Sequence, residues 1–341
     1  MTRVMLSPGI LVVRFGSIAD ILLATPLLRA IRQRYPHARL NVLTRRRHVP
    51  LLIDSPHLDE VIGIAPRESP FALVRRLRHA RYTYLLDLEG TTRSRMLRLL
   101  VPGRWRTAPQ YRLARELLVR TKRNLYPEDM PVAERFFDAA RDLEVEPDGG
   151  PPEFFIGPEA ERNGAGWLER AQLGNGRPLV AFAPGASQAT KRWPLEHWVS
   201  LVRRVCSTGA DAVLVGGAPD GALATEIAAR SSRRAVSAAG VLGLQATGAV
   251  LKRSAALVAG QTASMHIATA VGTPVVALAG PTVRAFGYYP YNAPRSVVLE
   301  RNLPCRPCAP DGGPECPLRH HFCMVEITPD TTFSALARVL A

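Results

Sequence analysis

The sequence predicts an α/β protein of two domains, each built on a doubly wound parallel sheet. The chain has 341 residues, more than a single hydrophobic core usually organises. Apolar runs alternate with helical patterns along its length, which is typical of parallel strands joined by covering helices. A stretch rich in Pro and Gly, residues 145–178, interrupts this alternation. We therefore expect two sheets facing each other across a cleft, in domains 1–160 and 161–341; whether the last helix packs back on the first domain is open.

The elements follow in chain order, because each predicted strand is a short apolar run between helical patterns. In the first domain the predicted strands are 10–15, 39–44, 60–64 and 82–88. In the second domain they are 178–184, 211–217, 255–260 and 274–280. The later helices are predicted to begin near Pro194, Pro219, Leu242 and Ala263. Open sheets of this kind bind ligands at the carboxyl ends of their strands, so the loops that follow strands are the candidate sites.

Positive charge is concentrated in the first part of the chain. The whole chain carries +15; residues 1–127 hold 24 Lys and Arg against 8 Asp and Glu, or +16, and residues 128–341 hold 20 against 21, or −1. Such asymmetry indicates an anionic partner for the first domain: nucleic acid, an acidic membrane surface, or a phosphorylated or carboxylated substrate. An arginine-rich composition that only reflects the base composition of a genome is the alternative.

Several function classes lack their signatures. No G-x-G-x-x-G and no G-x-x-x-x-G-K-[ST] occurs, which disfavours a nicotinamide dehydrogenase and a P-loop NTPase. Nucleic-acid binding lacks both a zinc-finger spacing and a basic strand interleaved with aromatic residues. No apolar run approaches the roughly 18 residues of a membrane span, and the first apolar run is typical of a strand rather than a signal peptide. We expect a cytoplasmic protein.

Four of the five cysteines lie together in CRPCAPDGGPECPLRHHFC, with two histidines nearby. Their spacing, C-x2-C-x7-C-x6-C, is compatible with a zinc site in a cytosolic chain, although the second pair is wider than in most structural sites. A loop of reduced cysteines is the alternative that we favour, so we expect no metal. The four residues are Cys305, Cys308, Cys316 and Cys323.

The first candidate site is the loop that joins strand 10–15 to a helix, in RFGSIADILLATP. Gly16 and Ser17 are expected to form a turn. Asp20 lies at the start of the helix, where exposed amides stabilise an ionised carboxylate by about 0.3 to 1 kcal/mol. An ionised carboxylate at the mouth of a cleft can act as a general base toward a substrate hydroxyl. The alternative is that Asp20 only caps its helix.

Two loops of the second domain place small residues directly after a strand. In PGASQATKRWP, a Gly-containing turn allows backbone amides to approach a phosphate, and Lys191 can supply a cation for a diphosphate. In AGQTASMHIATAVGTP, Thr262 and Ala263 enter a helix, and His266 lies one turn later and points back toward the loop. A solvated pair of Lys191 with Arg192 and a purely structural histidine are the alternatives.

Taken together, four stretches resemble the bacterial lipopolysaccharide heptosyltransferases, inverting glycosyltransferases of the GT-B fold. The stretches are LVVRFGSIADILLATPLLRAIRQRYPHARLNVLT, PGASQATKRWPLEHW, TASMHIATAVGTPVVALAGPT and CRPCAPDGGPECPLRHHFCMVEITPD, in the family's order over most of the chain. The resemblance implies a GT-B fold, an ADP-sugar donor and an acidic lipid A–core saccharide as acceptor. It also implies an enzyme without metal or other cofactor, peripheral at the cytoplasmic face of the inner membrane.

The resemblance further implies roles for individual residues. Asp20 would be the catalytic base toward the acceptor hydroxyl, and Lys191 would hold the donor diphosphate. The other donor residues would be Ser187, Leu242 (near the adenine), Gln261, Thr262, Ala263 and His266. The acidic acceptor would be bound by residues of the basic half of the chain, namely Arg45, Arg46, Arg47, Arg93, Arg95, Arg120, Lys122 and Arg123.

Two positions depart from the family's pattern. The family usually has Gly-Asp where this chain has Ala19-Asp20, and Asp-Thr-Gly where this chain has Gln261-Thr262-Ala263. Glutamine carries no charge, although its amide oxygen can still accept a hydrogen bond. A relative that binds a sugar nucleotide or a saccharide without transferring sugar is therefore the alternative function. Nucleic-acid binding through the basic half is a third.

Overall fold

The computed structural model describes residues 8–126 and 130–341. Contacts within the chain group it into two compact units. The first unit runs as far as Tyr111 and is completed by Val132–Phe155. The second unit consists of Arg112–Pro131 and Ile156–Ala341. In this grouping the chain passes from one unit to the other at three places.

The first unit is built on a parallel sheet of five strands. They are β1 (Gly9–Val13), β2 (Arg39–Arg45), β3 (Glu60–Ile64), β4 (Tyr84–Asp87) and β5 (Arg104–Thr107), in the order β3-β2-β1-β4-β5. The helices of this part of the chain are α1 (Ile18–Leu23), α2 (Thr25–Arg34), α3 (Pro70–Ala80), α4 (Thr92–Leu100), α5 (Arg112–Thr121) and α6 (Val132–Arg135). Of these, α5 is grouped with the second unit.

β1 lies at the centre of the first sheet. All five residues of GILVV are buried, as expected for a parallel strand that is covered on both faces. Leu11 and Val13 point to one face, where they belong to a core cluster with Leu77 of α3 and Leu97 of α4; the alternate residues point to the other face. β1 pairs in parallel with β2 and β4, so its carboxyl end lies between theirs.

An enclosed charge cluster attaches the last segment of the first unit to α2. The guanidinium of Arg29 lies 2.6 Å from the carboxylate of Asp148 and 3.1 Å from that of Glu153. Glu153 is also 2.9 Å from Nε2 of His57. The hydrogen bond from Arg29 lowers the pKa of Asp148. Burial raises the pKa of Glu153, but the contacts with His57 and Arg29 outweigh burial and lower this pKa.

The second unit is built on a parallel sheet of six strands. They are β6 (Leu179–Ala183), β7 (Asp211–Leu214), β8 (Ala235–Ser237), β9 (Ala256–Gly260), β10 (Val275–Ala279) and β11 (Val297–Glu300), in the order β11-β10-β9-β6-β7-β8. The helices are α7 (Pro158–Arg170), α8 (Leu195–Ser207), α9 (Gly221–Ser231), α10 (Leu244–Lys252), α11 (Ala263–Ala270), α12 (Phe322–Val325) and α13 (Pro329–Leu340).

Aromatic side chains fill the core of the second unit beside α8. Trp198 meets the Phe182 ring edge to face, with 6.4 Å between ring centres, and the Trp193 ring at 5.0 Å. Trp193 Nε1 donates to the carbonyl of Ile327 at 2.7 Å. Leu336 of the last helix, α13, belongs to the same cluster, and α13 packs against α8, β9 and β10.

The predicted α/β class, with two parallel sheets, is confirmed. All eight predicted strands are present, with ends that differ by no more than three residues. The structure adds β5, β8 and β11, each of which is an edge strand. Within the described ranges, no helix has the length and apolarity that crossing a bilayer requires.

Candidate functional site

The first candidate site is the loop that leads from β1 into α1. The amide and the hydroxyl of Ser17 each donate to Oδ2 of Asp20 at 2.9 Å, and the Asp20 amide donates to Oγ of Ser17 at 3.3 Å. This reciprocal capping box satisfies amides that the first turn of a helix leaves unpaired. Ser17 is therefore the N-cap of α1, Asp20 completes the box from the third helical position, and these hydrogen bonds fix its buried carboxylate.

The same carboxylate forms an ion pair with Arg14. Nη2 of Arg14 lies 2.6 Å from Oδ1 of Asp20, and Nη1 lies 3.6 Å from Oε2 of Glu89. Glu89 also accepts from the amide of Phe15 at 2.9 Å. One arginine is thus shared by two carboxylates at the carboxyl ends of β1 and β4, and all three side chains are about nine-tenths buried. Sequence reasoning missed Arg14 and Glu89 as members of this site.

Gly16 is required by the close packing of this loop. A Cβ at Gly16 would lie 2.5 Å from Oδ2 of Asp20 and 3.0 Å from Nε of Arg14. Real Cβ atoms do not approach other atoms that closely, so a side chain here would push the ion pair apart. Gly16 is absent from the residues with positive φ, so the requirement comes from space rather than from backbone conformation.

A buried histidine adjoins the basic end of β2. Arg45, Arg46 and Arg47, three predicted acceptor residues, are exposed, whereas His48 is buried and its Nε2 accepts from Nε of Arg47 at 3.2 Å. Burial, reinforced by the charges of Arg47 and Arg45, lowers the pKa of His48 to about 4, and the charge of Asp20 opposes this shift. His48 is therefore neutral at pH 7 and within electrostatic reach of Asp20. Sequence reasoning missed it.

The other predicted acceptor residues fall into two groups. Arg93 and Arg95 are exposed on α4, and the guanidinium of Arg93 lies 5.4 Å from the centre of the Phe15 ring, next to the Asp20 loop. The second group belongs to the segment that the contacts assign to the second unit, and consists of Arg120, Lys122 and Arg123. Lys122 Nζ in this group already donates to two backbone carbonyls, each at 2.7 Å.

The second candidate site is the loop that follows β6. Ala189–Lys191 forms a short 3₁₀ helix in this loop. The side chain of Lys191 is only 11% exposed, and its Nζ forms an ion pair with Asp311. Ser187 is exposed in the same loop. The predicted diphosphate-binding cation is therefore held by a carboxylate from the cysteine-rich segment.

Hydrogen bonds hold the cysteine-rich segment against this 3₁₀ helix. Thr190 donates from its amide and from its hydroxyl to the carbonyl of Gly313, both at 3.1 Å, and accepts from the Gly313 amide at 2.8 Å. Nε2 of His321 lies 2.8 Å from the carbonyl oxygen of Thr190. These contacts hold Asp311 at Lys191.

The third candidate site lies where β9 leads into α11. Thr262 occupies the N-cap position of α11 without a side-chain capping bond, and its Oγ1 is buried without a hydrogen-bond partner among the residues that the structure describes. Leaving a buried hydroxyl unpaired costs about 1–3 kcal/mol, which a ligand oxygen at Oγ1 would remove. A Cβ at Gly260 would lie 3.3 Å from the carbonyl oxygen of Lys191. The second and third loops are therefore in contact.

Gln261 and His266 both contact the segment that follows β10. Nε2 of Gln261 donates to the carbonyl of Tyr288 at 3.0 Å, and its Oε1 accepts from the hydroxyl of Thr282. An aspartate could accept from Thr282 but has no donor for the carbonyl of Tyr288. His266 is buried, with its ring edge to face with that of Tyr288 at 6.4 Å. The amide nitrogen and oxygen of Gln261 thus both link its own loop to the segment that follows β10.

The structure brings together the predicted donor residues around the ends of β6 and β9, which are adjacent strands. Lys191 follows β6, and Gln261, Thr262 and Ala263 follow β9. Leu242 differs from these residues, because it follows the edge strand β8, two positions from β6 in the sheet. It is half-buried in the turn before α10.

The cysteines carry free thiols. Burial raises the pKa of Cys323 to about 11, to which the neighbouring thiols contribute, and burial also raises the pKa of Cys308. Through residues 8–126 and 130–341, no group of three or more His, Cys, Asp or Glu side chains is arranged to hold a metal ion. Arg306 anchors the cysteine-rich segment to the end of β10, because its guanidinium donates to the carbonyls of Gly280 at 2.6 Å and Thr282 at 2.7 Å.

Comparison with known sequences indicates one family. A model of glycosyltransferase family 9 (heptosyltransferase) matches residues 70–318. The chain is 26% identical to lipooligosaccharide heptosyltransferase 2 of Haemophilus ducreyi, over 97% of this chain and 99% of that protein. It is 28% identical to lipopolysaccharide heptosyltransferase 2 of Salmonella typhimurium, over 80% of this chain and 83% of that protein.

Solved structures are similar over almost the whole chain. The E. coli ADP-heptose LPS heptosyltransferase II has a TM-score of 0.75 at 24% identity, covering 97% of this chain and 98% of its own. The E. coli heptosyltransferase WaaC with ADP has a TM-score of 0.70 at 19% identity, covering 97% and 99%. At these identities the likeness establishes the fold, and the GT-B fold class predicted from the sequence is confirmed.

Proposed function

Because the chain belongs to glycosyltransferase family 9, the heptosyltransferase family, it is a glycosyltransferase, and we propose that it transfers heptose, or a related sugar, from an ADP-sugar to the acidic inner core of lipopolysaccharide. The observation that carries the proposal is the contact between the loop of the enclosed Lys191 and the loop of the unpaired Thr262 hydroxyl. Relatives named for heptose transfer to lipopolysaccharide or lipooligosaccharide support the substrates, as does the similar chain solved with ADP.

The donor diphosphate is bound by Lys191 and the first turn of α11. The hydroxyl of Thr262 donates a hydrogen bond to a phosphate oxygen of the ADP-sugar, and the amides at the start of α11 favour an anion. Lys191 exchanges Asp311 for a phosphate oxygen and neutralises the charge that develops on departing ADP, which is the main way such sites stabilise a transition state. Ser187, Gln261, Ala263 and His266 line the rest of the donor pocket, and Leu242 packs near the adenine.

Asp20 is the general base. It takes the proton from an acceptor hydroxyl as that oxygen attacks the anomeric carbon on the side opposite ADP. The bond from the anomeric carbon to the phosphate oxygen breaks, and its electron pair leaves with ADP. The configuration at the sugar therefore inverts in a single step without a covalent enzyme intermediate. The cap from Ser17 and the ion pair with Arg14 support this role, because they fix the carboxylate in one orientation.

The acceptor is bound through its phosphates and carboxylates. Its binding residues are Arg45, Arg46, Arg47, Arg93, Arg95, Arg120, Lys122 and Arg123. The concentration of positive charge in the first 127 residues, against a nearly neutral remainder, supports this assignment. Since such an acceptor is attached to lipid, we propose that the enzyme works peripherally at the cytoplasmic face of the inner membrane.

The decisive experiment measures ADP release from ADP-heptose with a heptose-free lipid A core as acceptor. Asp20→Asn keeps the size of the side chain and can still accept from Ser17, but an amide cannot take the proton. We expect acceptor-dependent release by the wild type and a fall of about 10³-fold in Asp20→Asn, with ADP affinity by calorimetry unchanged. Asp142→Asn is the matched control, because Asp142 is paired with Arg106 on the surface of the same unit.

Full turnover in Asp20→Asn would remove Asp20 from the role of base. ADP binding by the wild type without transfer to any inner-core acceptor would refute the transfer reaction and favour a binding protein.

A further inference from the structure

The outer face of α4 exposes large apolar side chains among arginines. Leu99 is 86% exposed, and Met96 and Leu100 are 40% and 42% exposed. The helix, TRSRMLRLL, contains no acidic residue. Its three arginines are all exposed, at Arg93, Arg95 and Arg98. Single apolar residues on a surface are ordinary, but three on one short helix form a patch.

This exposure belongs to a helix that is well anchored. Ser94 and Leu97 are buried, and Oγ of Ser94 donates to the carboxylate of Asp87 at 2.9 Å. At about 100° per residue, Leu99 falls almost opposite the two buried residues, with an arginine on one side of it and a methionine on the other. The outermost line of the helix is therefore apolar and flanked by positive charge.

α3 extends the same surface. Leu77 of α3 and Leu97 of α4 share one core cluster, so both helices cover the same face of the sheet. The sequence of α3, PFALVRRLRHA, also lacks acidic residues, and Phe71 at its start is 84% exposed. Across the described ranges, five exposed arginines of the two helices form no ion pair: Arg75, Arg78, Arg93, Arg95 and Arg98.

We infer that the outer surface of α3 and α4, here called the α3–α4 face, docks on a bilayer that contains anionic phospholipids. The arginines that are not assigned to the acceptor, Arg75, Arg78 and Arg98, bind lipid phosphates. Leu99 and Phe71 enter the boundary between headgroups and acyl chains, as apolar side chains of interfacial helices do. Positive charge on this face is complementary to any anionic partner, but its exposed apolar side chains favour a lipid surface. A bilayer offers a continuous apolar layer beneath its anionic groups, which the surface of an acidic protein or a nucleic acid does not. The inference rests on the proposed function in one respect: a lipid-borne acceptor is what brings the enzyme to a membrane.

The α3–α4 face adjoins the first candidate site. Arg93, in the first turn of α4, lies over the ring of Phe15, and Phe15 leads directly into the loop that holds Asp20. Docking through α4 therefore brings this loop close to the headgroup layer, which is where a saccharide attached to lipid begins.

Leu99→Asp tests the inference without changing any residue of the proposed site. Full-length protein is sedimented with vesicles of phosphatidylcholine alone or mixed with phosphatidylglycerol. We expect the wild type to bind to the mixed vesicles only. Leu99→Asp should bind them about tenfold more weakly, because the variant loses the free energy gained when the leucine side chain is transferred from water into the bilayer. Val241→Asp makes the same charge change at a residue that is 66% exposed in the second unit. It should change binding by no more than about twofold, and melting curves confirm that both variants are folded.

Three results would each overturn the inference: undiminished binding of Leu99→Asp, an equal loss in both variants, or equal binding of the wild type to vesicles without phosphatidylglycerol. A deacylated, soluble acceptor separates this inference from the proposed function, since Leu99→Asp should transfer sugar to it at the wild-type rate. Absence of transfer by the wild type to any acceptor would refute the proposed function, whereas the vesicle measurements would still decide the docking face.

Discussion

The ion pairs of the first and second candidate sites differ in how far solvent reaches them. In the first unit, Arg14 and Asp20 are both about nine-tenths buried. In the second unit, Lys191 is equally enclosed, but its partner Asp311 is 73% exposed. Breaking a buried pair leaves an uncompensated charge, whereas an exposed carboxylate contributes little. The first site therefore holds its carboxylate in a fixed position, whereas the second pairs its cation with a solvent-exposed carboxylate, which a phosphate would replace under the proposed function.

Removing Arg14 should have the largest effect, because it breaks the enclosed pair. Arg14→Met removes the guanidinium that Asp20 and Glu89 share. We expect the free energy of unfolding in urea to fall by about 3 kcal/mol, and kcat to fall by about 100-fold as the base loses its orientation. Arg14→Lys restores the charge and should recover most of the stability. A variant Arg14→Met with wild-type stability would show that the pair contributes nothing to folding.

Removing the cation of the second site should weaken ADP binding without unfolding the protein. Lys191→Ala is expected to reduce ADP affinity by about tenfold to 100-fold, the usual value of a charge-assisted hydrogen bond, as measured by calorimetry. Lys252→Ala, which removes a lysine paired with Glu161 on the surface of the same unit, is the control. Equal affinities for wild type and Lys191→Ala would exclude Lys191 from the diphosphate site.

The charge cluster of Arg29 lies outside the loops of the candidate sites, so a change there should affect stability without affecting catalysis. Arg29→Met should lower the free energy of unfolding by about 2 kcal/mol, since Asp148 and Glu153 are only partly exposed, and should leave kcat unchanged. A fall in kcat beyond the loss of folded protein would contradict this separation.

The same cluster predicts a pH dependence of stability. The folded pKa values of Asp148 and Glu153 lie below their ordinary 3.8 and 4.5, so their stabilisation is complete above those values and is lost as the pH falls through the lowered ones. Wild-type stability should therefore decline in this acid range, and that of Arg29→Met should decline less. Urea unfolding from neutral pH into this range provides the measurement; parallel declines would show that the cluster is not the cause.

Removing the exchangeable partner should have the smallest effect and the opposite sign. Asp311→Asn no longer competes for Lys191, so ADP affinity is expected to increase by about twofold. Asp330→Asn is the matched control, because Asp330 is also exposed and pairs with Arg204 on the same unit. Weaker ADP binding in Asp311→Asn would show that Asp311 helps to form the site rather than occupying it.

The three strands that the sequence did not reveal have one physical cause. β5 (RWRT), β8 (AVS) and β11 (VVLE) are edge strands, and most of their residues are exposed or half-buried. An edge strand pairs on one side only and is covered less, so it does not need the continuous apolar run that marks β1 or β9. The central strands were predictable because burial on both faces dictates their composition.

The site residues divide in a similar way. Asp20, Lys191 and Thr262 lie in the segments that follow buried strands, which is a local pattern that the sequence displays. Their roles stay predictions. Glu89 was missed although it follows a predicted strand in LLDLEG, because its contact with Arg14 depends on β1 and β4 becoming neighbours. Asp311 is 120 residues from Lys191, and no local pattern marks that pairing. Strand order and long-range loop contacts are properties of the folded chain.

The chain crosses between its two units at three places, and this limits where the protein can be cut into fragments. A fragment that ends at Phe155 would include Arg112–Pro131 without the unit to which this segment belongs. The complementary fragment would lack Tyr126, whose ring lies 6.4 Å from that of Phe286. The first fragment thus carries a segment without its partner unit, and the second fragment lacks part of its own unit. Chimeras between relatives should therefore be viable when all three junctions are exchanged together, and a single crossover in the middle of the chain should yield insoluble protein.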